Sequence, residues 1–212
     1  MRAAIQIVLG ILIVALAYFV YNSIQIPIRF NKQKDVIELS TIDRLIDIRE
    51  AQKAYKDVNN SYTADFDSLI YFLKTDSFSL TRATGTIPES LIDSLGTLKK
   101  AREAALRMGI IKRETNKVPV MDSLFGTSFA VDSLRYVPYT SGLEFKMEAG
   151  EYTTPSKLVV KVMEVSVLYS DLLSDLDQQL VVNYADERFK ITRFKGLKLG
   201  SLTEGTLTGN WE

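Results

Sequence analysis

The sequence predicts an α+β fold: a long N-terminal helix, transmembrane and then amphipathic, followed by short helices and a mostly antiparallel β-sheet domain. Three observations carry that reading. Residues 3–28 form an apolar run without a charged side chain. Apolar residues then recur at intervals of three and four across residues 39–58, the period of an amphipathic helix. Beyond residue 140 the period changes to two, as in half-buried strands.

The run AAIQIVLGILIVALAYFVYNSIQIPI rises about 1.5 Å per residue as a helix and is long enough to cross a hydrocarbon layer of about 30 Å. Tyr18, Tyr21 and Asn22 lie toward its far end, and Arg29, Lys32 and Lys34 follow, as aromatic and basic groups do at a membrane interface. Residues 1–28 therefore read as a membrane anchor. A cleaved signal peptide is the competing reading, since Arg2 is a basic leader and Ala15-Leu16-Ala17 has a small-x-small form. Charge counting alone sets Arg2 against Arg29, Lys32 and Lys34 and puts the domain in the cytoplasm. The very short N-terminal tail instead resembles a signal anchor, which puts the domain outside it. Within the run, Ala3, Gly10 and Ala17 recur every seven residues and line one helical stripe where a second helix could approach. Gln6 is the polar side chain near its start, suited either to a partner helix or to lipid headgroups.

Residues 29–60 read as the amphipathic continuation of the same helix, with Leu39, Ile42, Leu45, Ile48, Ala51, Tyr55 and Val58 on the buried stripe. Arg44, Asp47, Arg49, Glu50, Lys53 and Lys56 fall off it as a solvated face of alternating sign. Pro27, between the two halves, removes one backbone hydrogen bond and is expected to bend the helix, and Asn59-Asn60 stops it. In TADFDSLIYFLKT, Thr63 or Asp65 caps a short helix that buries Leu69, Ile70, Phe72 and Leu73. A polar, threonine-rich loop then leads to one helix over residues 88–109 with Pro88 in its first turn.

In the second half, LEFKMEA alternates and reads as a strand, and KLVVKVMEVSVL, apolar on both faces, reads as a central one. Residues 143–168 thus form an antiparallel hairpin around a turn at 150–156. Residues 129–139 and 189–202 are further strand candidates, and 170–182 fits a short helix or an edge strand. Trp211 either seals the sheet or stands out as a partner contact. Residues 61–212 together make one soluble α+β domain, and the roughly 180 residues beyond the anchor suffice for a real core.

Composition excludes much chemistry. Lysine plus arginine and aspartate plus glutamate number 26 each, so no net field draws nucleic acid. Cysteine and histidine are both absent, which removes thiol nucleophiles, disulfides, histidine bases and the usual zinc sites. Gly196, Gly200, Gly205 and Gly209 are too widely spaced for a phosphate loop and read as turns or bulges. Asp171, Asp175 and Asp177 could offer oxygens to calcium but lack EF-hand spacing; the plainer reading is a solvated face over buried Leu172, Leu173 and Leu176. No catalytic, cofactor-binding or metal-ligating residue is singled out, and the chain reads as non-enzymatic.

The leading apolar helix, the proline, the amphipathic continuation ending in IREAQKAYKDVNNSYTADFDSLIYFL and the following sheet resemble the type IV pilins and type II secretion pseudopilins. The likeness covers residues 1–75 in layout; its specific part is residues 51–69, with the Ala54-Tyr55 pair, Tyr62 and the acidic-leucine segment. The glycine-ended leader before a phenylalanine and the glutamate at the fifth helical position are missing, and Gln6 is neutral. The resemblance implies a pilin-like subunit rather than a true pilin. Such a subunit is anchored in the bacterial inner membrane through residues 3–28, with its domain in the periplasm. It joins other subunits or copies of itself in a cell-envelope assembly. The alternative is an anchored or secreted module that binds a peptide, glycan or ion.

Overall fold

The computed structural model of the chain describes residues 2–84 and 86–212, with side chains at 6, 7, 9–78, 86–111 and 117–212. The α+β class holds: a long helix, several short ones and antiparallel sheets. Residues 61–212 contribute to two compact units, one made of Met1–Leu69 with Asp132–Glu212, the other of Ile70–Val131.

The first unit is organised by α1, Arg2–Asn59, a single helix of 58 residues and about 87 Å. It continues through Pro27, losing the hydrogen bond that proline cannot donate. It ends where Asn60 turns left-handed (φ 55°), its N–H donating to Lys56 O at 2.7 Å. Beyond the anchor, Phe30, Leu45, Ile48, Ala51 and Ala54 are buried. The buried stripe differs from the expected one at both ends. Leu39 is 63% exposed and Val58 47%, while Thr41 and Gln52 are fully buried. Polar burial is affordable at those two positions because both side chains are bonded. Thr41 Oγ1 donates to Ile37 O at 2.7 Å, and Gln52 Nε2 donates to Thr63 O at 2.7 Å while its Oε1 accepts from Thr63 N at 3.2 Å.

The three-stranded sheet has the order β3-β4-β5, with β3 at Lys146–Thr153, β4 at Val159–Leu168 and β5 at Gly196–Gly200, all antiparallel. β4 is central and covered on both faces over its second half, with Met163, Val165 and Val167 buried on one and Val162 and Ser166 on the other, as its two-faced apolar sequence requires. The hairpin turn lies at residues 154–158, later than expected, with Gly150 inside β3 and Lys157 left-handed (φ 63°). α1 packs against β5, whose Leu197 and Leu199 have no exposed surface. A Cβ on Gly196 would stand 2.0 Å from Val167 O, so only glycine permits the strand to approach β4 there. Trp211 is half-buried with its indole against Gly209, which bridges Leu199, and this is the sealing arrangement. The chain end is tied to α1 by Arg49 Nη1 and Glu212 Oε1 at 2.6 Å.

Two expectations are corrected here, and a third that the sequence left open is decided. Residues 129–139 form no strand beyond a bridge from Tyr136 to Glu144; Val131–Arg135 is a 3-10 helix, because Val131, Leu134 and Val137 are buried at a spacing of three. Residues 189–202 are a strand only from Gly196. Residues 189–192 belong to α7, Gln178–Thr192, whose inward Val181, Tyr184, Ala185 and Arg188 follow the helical period. Residues 170–182 are helical rather than an edge strand: α6 is Tyr169–Leu172, and Asp177 then caps α7 by accepting from Gln179 N at 3.0 Å and Leu180 N at 3.1 Å.

α2, Phe66–Thr75, is capped by Asp65, which accepts from Ser68 N at 2.9 Å, and it buries Leu69, Ile70, Phe72 and Leu73 as predicted. In the second unit the expected threonine-rich loop is instead β1, Ser77–Thr84, paired antiparallel with β2, Lys112–Pro119. The expected helix over 88–109 is two, α3 at Glu89–Leu95 and α4 at Leu98–Arg107, because Gly96 adopts φ 67° and closes α3 through a bond to Ile92 O. A short α5, Val120–Leu124, follows β2.

Candidate functional site: the exposed apolar helix and its junction with the head

Two features of α1 stand out. The first is the apolar run itself, none of whose described side chains is buried inside the chain. Ile11, Val14, Phe19, Tyr21 and Ile24 are all exposed, a continuous apolar surface of a kind that water-soluble monomers rarely carry. The helix is long and apolar enough, near the N-terminus, to span a membrane singly. Gln6, Gly10 and Ala17 are exposed on it, and the side chain of Ala3 lies outside the described residues. Gly10 sits in a notch lined by Ile7, Ile11, Val14, Ala15 and Tyr18, with nothing within 4 Å of where a Cβ would stand. Neither Gln6 nor Ala17 lines that notch, which runs from Ile7, about one turn before Gly10, to Phe19, about two and a half turns after it.

The second feature is a polar cluster where the helix leaves the anchor and meets the head. Glu38 of α1 accepts from Tyr169 Oη at 2.8 Å and from Tyr184 Oη at 2.8 Å. The two rings meet edge-on, 4.9 Å between centroids. Lys34 stands 3.8 Å from Glu38, 2.8 Å from Asp35 and 4.3 Å above the Tyr184 ring, while Arg188 reaches Asn210 O at 3.3 Å. Burial pushes the Tyr169 phenol well above its ordinary value, and the Glu38 carboxylate adds to the rise; the same causes raise Tyr184. Burial opposes the charge on Lys34, but Asp35, Tyr184 and Glu38 outweigh it and its pKa is raised. Both phenols thus keep their protons at neutral pH, and the cluster acts as a fixed hydrogen-bonded clamp between α1 and the helices α6 and α7.

Sequence reasoning missed this cluster. The two tyrosines lie 131 and 146 residues from Glu38 in the chain, and the available signal was slight: a glutamate, Glu38, about one helical turn before the buried Thr41 and two before the buried Leu45. The acidic set Asp171, Asp175 and Asp177 does not converge. Among the described residues no group of three or more acidic side chains is placed to hold a metal ion. Asp177 is committed to the α7 cap, and Leu172 and Leu173 beneath the set are buried. Asp67, about a hundred residues earlier in the chain, pairs with Arg135.

No family model, curated protein or solved structure matches the chain. The functional reading therefore rests on geometry and chemistry.

Proposed function

We propose that this chain is a single-pass, pilin-like subunit of a bacterial cell-envelope assembly, non-enzymatic, with its head in the periplasm and its apolar helix packed against other subunits in the inner membrane. One observation carries the reading. The helix whose apolar run buries none of its described side chains is the same helix whose later part supplies Leu45, Ile48, Ala51 and Ala54 to the core of the first unit. An anchor joined to its domain by a loop only tethers it. An anchor continuous with the core transmits its own position and rotation to the head, which is what a subunit packed in an array needs. The Glu38 clamp adds to this by fixing α7 to the helix just beyond the anchor.

The test is the mass of the complex extracted from the native membrane in mild detergent, for the full chain and for Gly10→Leu. A subunit travels in a large complex that the leucine disperses, because it fills the notch at Gly10 while the head, remote from residue 10, keeps its fold. A monomeric protein whose N-terminus begins near Tyr18 would sink the proposal and favour a secreted binding module.

A further inference from the structure

We infer that the head carries a binding groove for the headgroup of one anionic phospholipid, immediately above the end of the apolar run; this rests on the membrane-anchored reading. The groove has a volume of about 520 Å³ and lies between α1 and two loops of the head. Arg29, Lys32, Val36 and Ile37 line it from the helix, at the i, i+3, i+7 and i+8 positions of one face, and Tyr139 and Leu176 close the opposite wall. Its depth relative to the bilayer follows from the helix. Arg29 is the first charged residue after the uncharged run, and Arg29 to Val36 rises about 10 Å, against an interfacial layer of roughly 5–8 Å per leaflet. With the uncharged run, about 39 Å long, centred on a hydrocarbon layer of about 30 Å, Arg29 at the lower end of the groove stands at headgroup level.

The lining chemistry fits that occupant. Its two charged side chains are both cations, Gln33 adds an amide beside them, and the rest of the lining is mainly apolar, matching a phosphate attached to glycerol and acyl ends. Tyr139 is 64% exposed and is held with φ at 60°, so its ring is presented outward from a constrained loop, the amphipathic side chain that settles at an interface. Val36 is also exposed, while Lys34, two residues before it and outside the groove lining, is taken up by Asp35 and Glu38 and leaves Arg29 and Lys32 as the groove's own cations.

The experiment reconstitutes the full-length protein into liposomes of equimolar phosphatidylglycerol and phosphatidylcholine, then counts retained lipid by native mass spectrometry after mild extraction. Wild type is expected to retain one phosphatidylglycerol in preference to phosphatidylcholine. Arg29→Gln and Lys32→Gln should each lower that preference about fivefold. Val36→Trp, which fills the groove with both cations in place, should abolish it. Insertion is scored separately by resistance to carbonate extraction. Protein that inserts but retains the two lipids equally overturns the groove, and so does a Val36→Trp protein that keeps the preference, since the cations then act without it. Protein that fails to insert overturns the anchored reading instead.

Discussion

Glu38 shows how much one side chain decides. Its carboxylate is almost out of solvent, yet both oxygens accept from tyrosines and a lysine stands beside it, so the desolvation of the charge is offset. The tyrosines record the arrangement in their proton affinity, and the sign of the resulting pH dependence follows. Tyr169 has a folded pKa raised above its ordinary value of 10.0. Its contribution to stability is therefore fully present below about pH 10. It is lost as pH rises further, because the unfolded chain then sheds a proton that the folded chain holds. We predict that denaturant melts of the full chain in detergent lose about 1.4 kcal/mol per pH unit above pH 10 through Tyr169, and that Tyr169→Phe removes this component. Equal slopes in the two proteins would contradict a buried, protonated phenol. None of this was legible from the residues around Tyr169 or Tyr184, since a tyrosine in YSDLL or NYADE carries no mark of a glutamate on a distant helix.

At the scale of elements, local pattern worked where it was long and failed where it was short. The helix α1, the Asp65 cap of α2 and the central strand β4 each follow from period, cap or composition. The β1–β2 ladder did not, because its strands are polar and separated by two helices, and pairing across such a gap leaves no local trace. The broken helix at Gly96 and the 3-10 turn at Val131–Arg135 are both matters of a single residue's backbone or of a spacing of three set by burial. Within α1 the expected stripe was right in phase and wrong in extent. Leu45 has no exposed surface, and Leu39, equally apolar and on the same predicted stripe, is mostly exposed. Leu45→Ala should accordingly cost about 3 kcal/mol in chemical denaturation and Leu39→Ala less than about 0.5 kcal/mol. Similar losses at the two positions would mean that α1 does not pack on β5 as described.

For the whole molecule the decisive quantity is the unburied apolar length. Deleting residues 1–28 removes the run that lies outside the core while keeping Phe30 and every buried residue after it. The shortened chain should appear in the soluble fraction with its circular dichroism melt retained, whereas the full chain sediments with membranes and resists carbonate. A shortened chain that still sediments would move the anchor elsewhere. The sequence by itself determined the features that depend on neighbours along the chain: an apolar run fit to span a bilayer, the amphipathic period that continues it, helix caps, and the two-faced apolar strand at the sheet centre. Only the tertiary structure decided which part of the stripe is covered and that residues 70–131 form a unit of their own. The same is true of Glu38 reaching Tyr169 and Tyr184, and of Tyr139 and Leu176 closing a groove over Arg29 and Lys32. The physical reason is the range of the forces involved. Periodicity and capping are settled within a few residues, while burial, paired charge and strand partnership depend on groups more than a hundred positions away that meet only once the chain has folded.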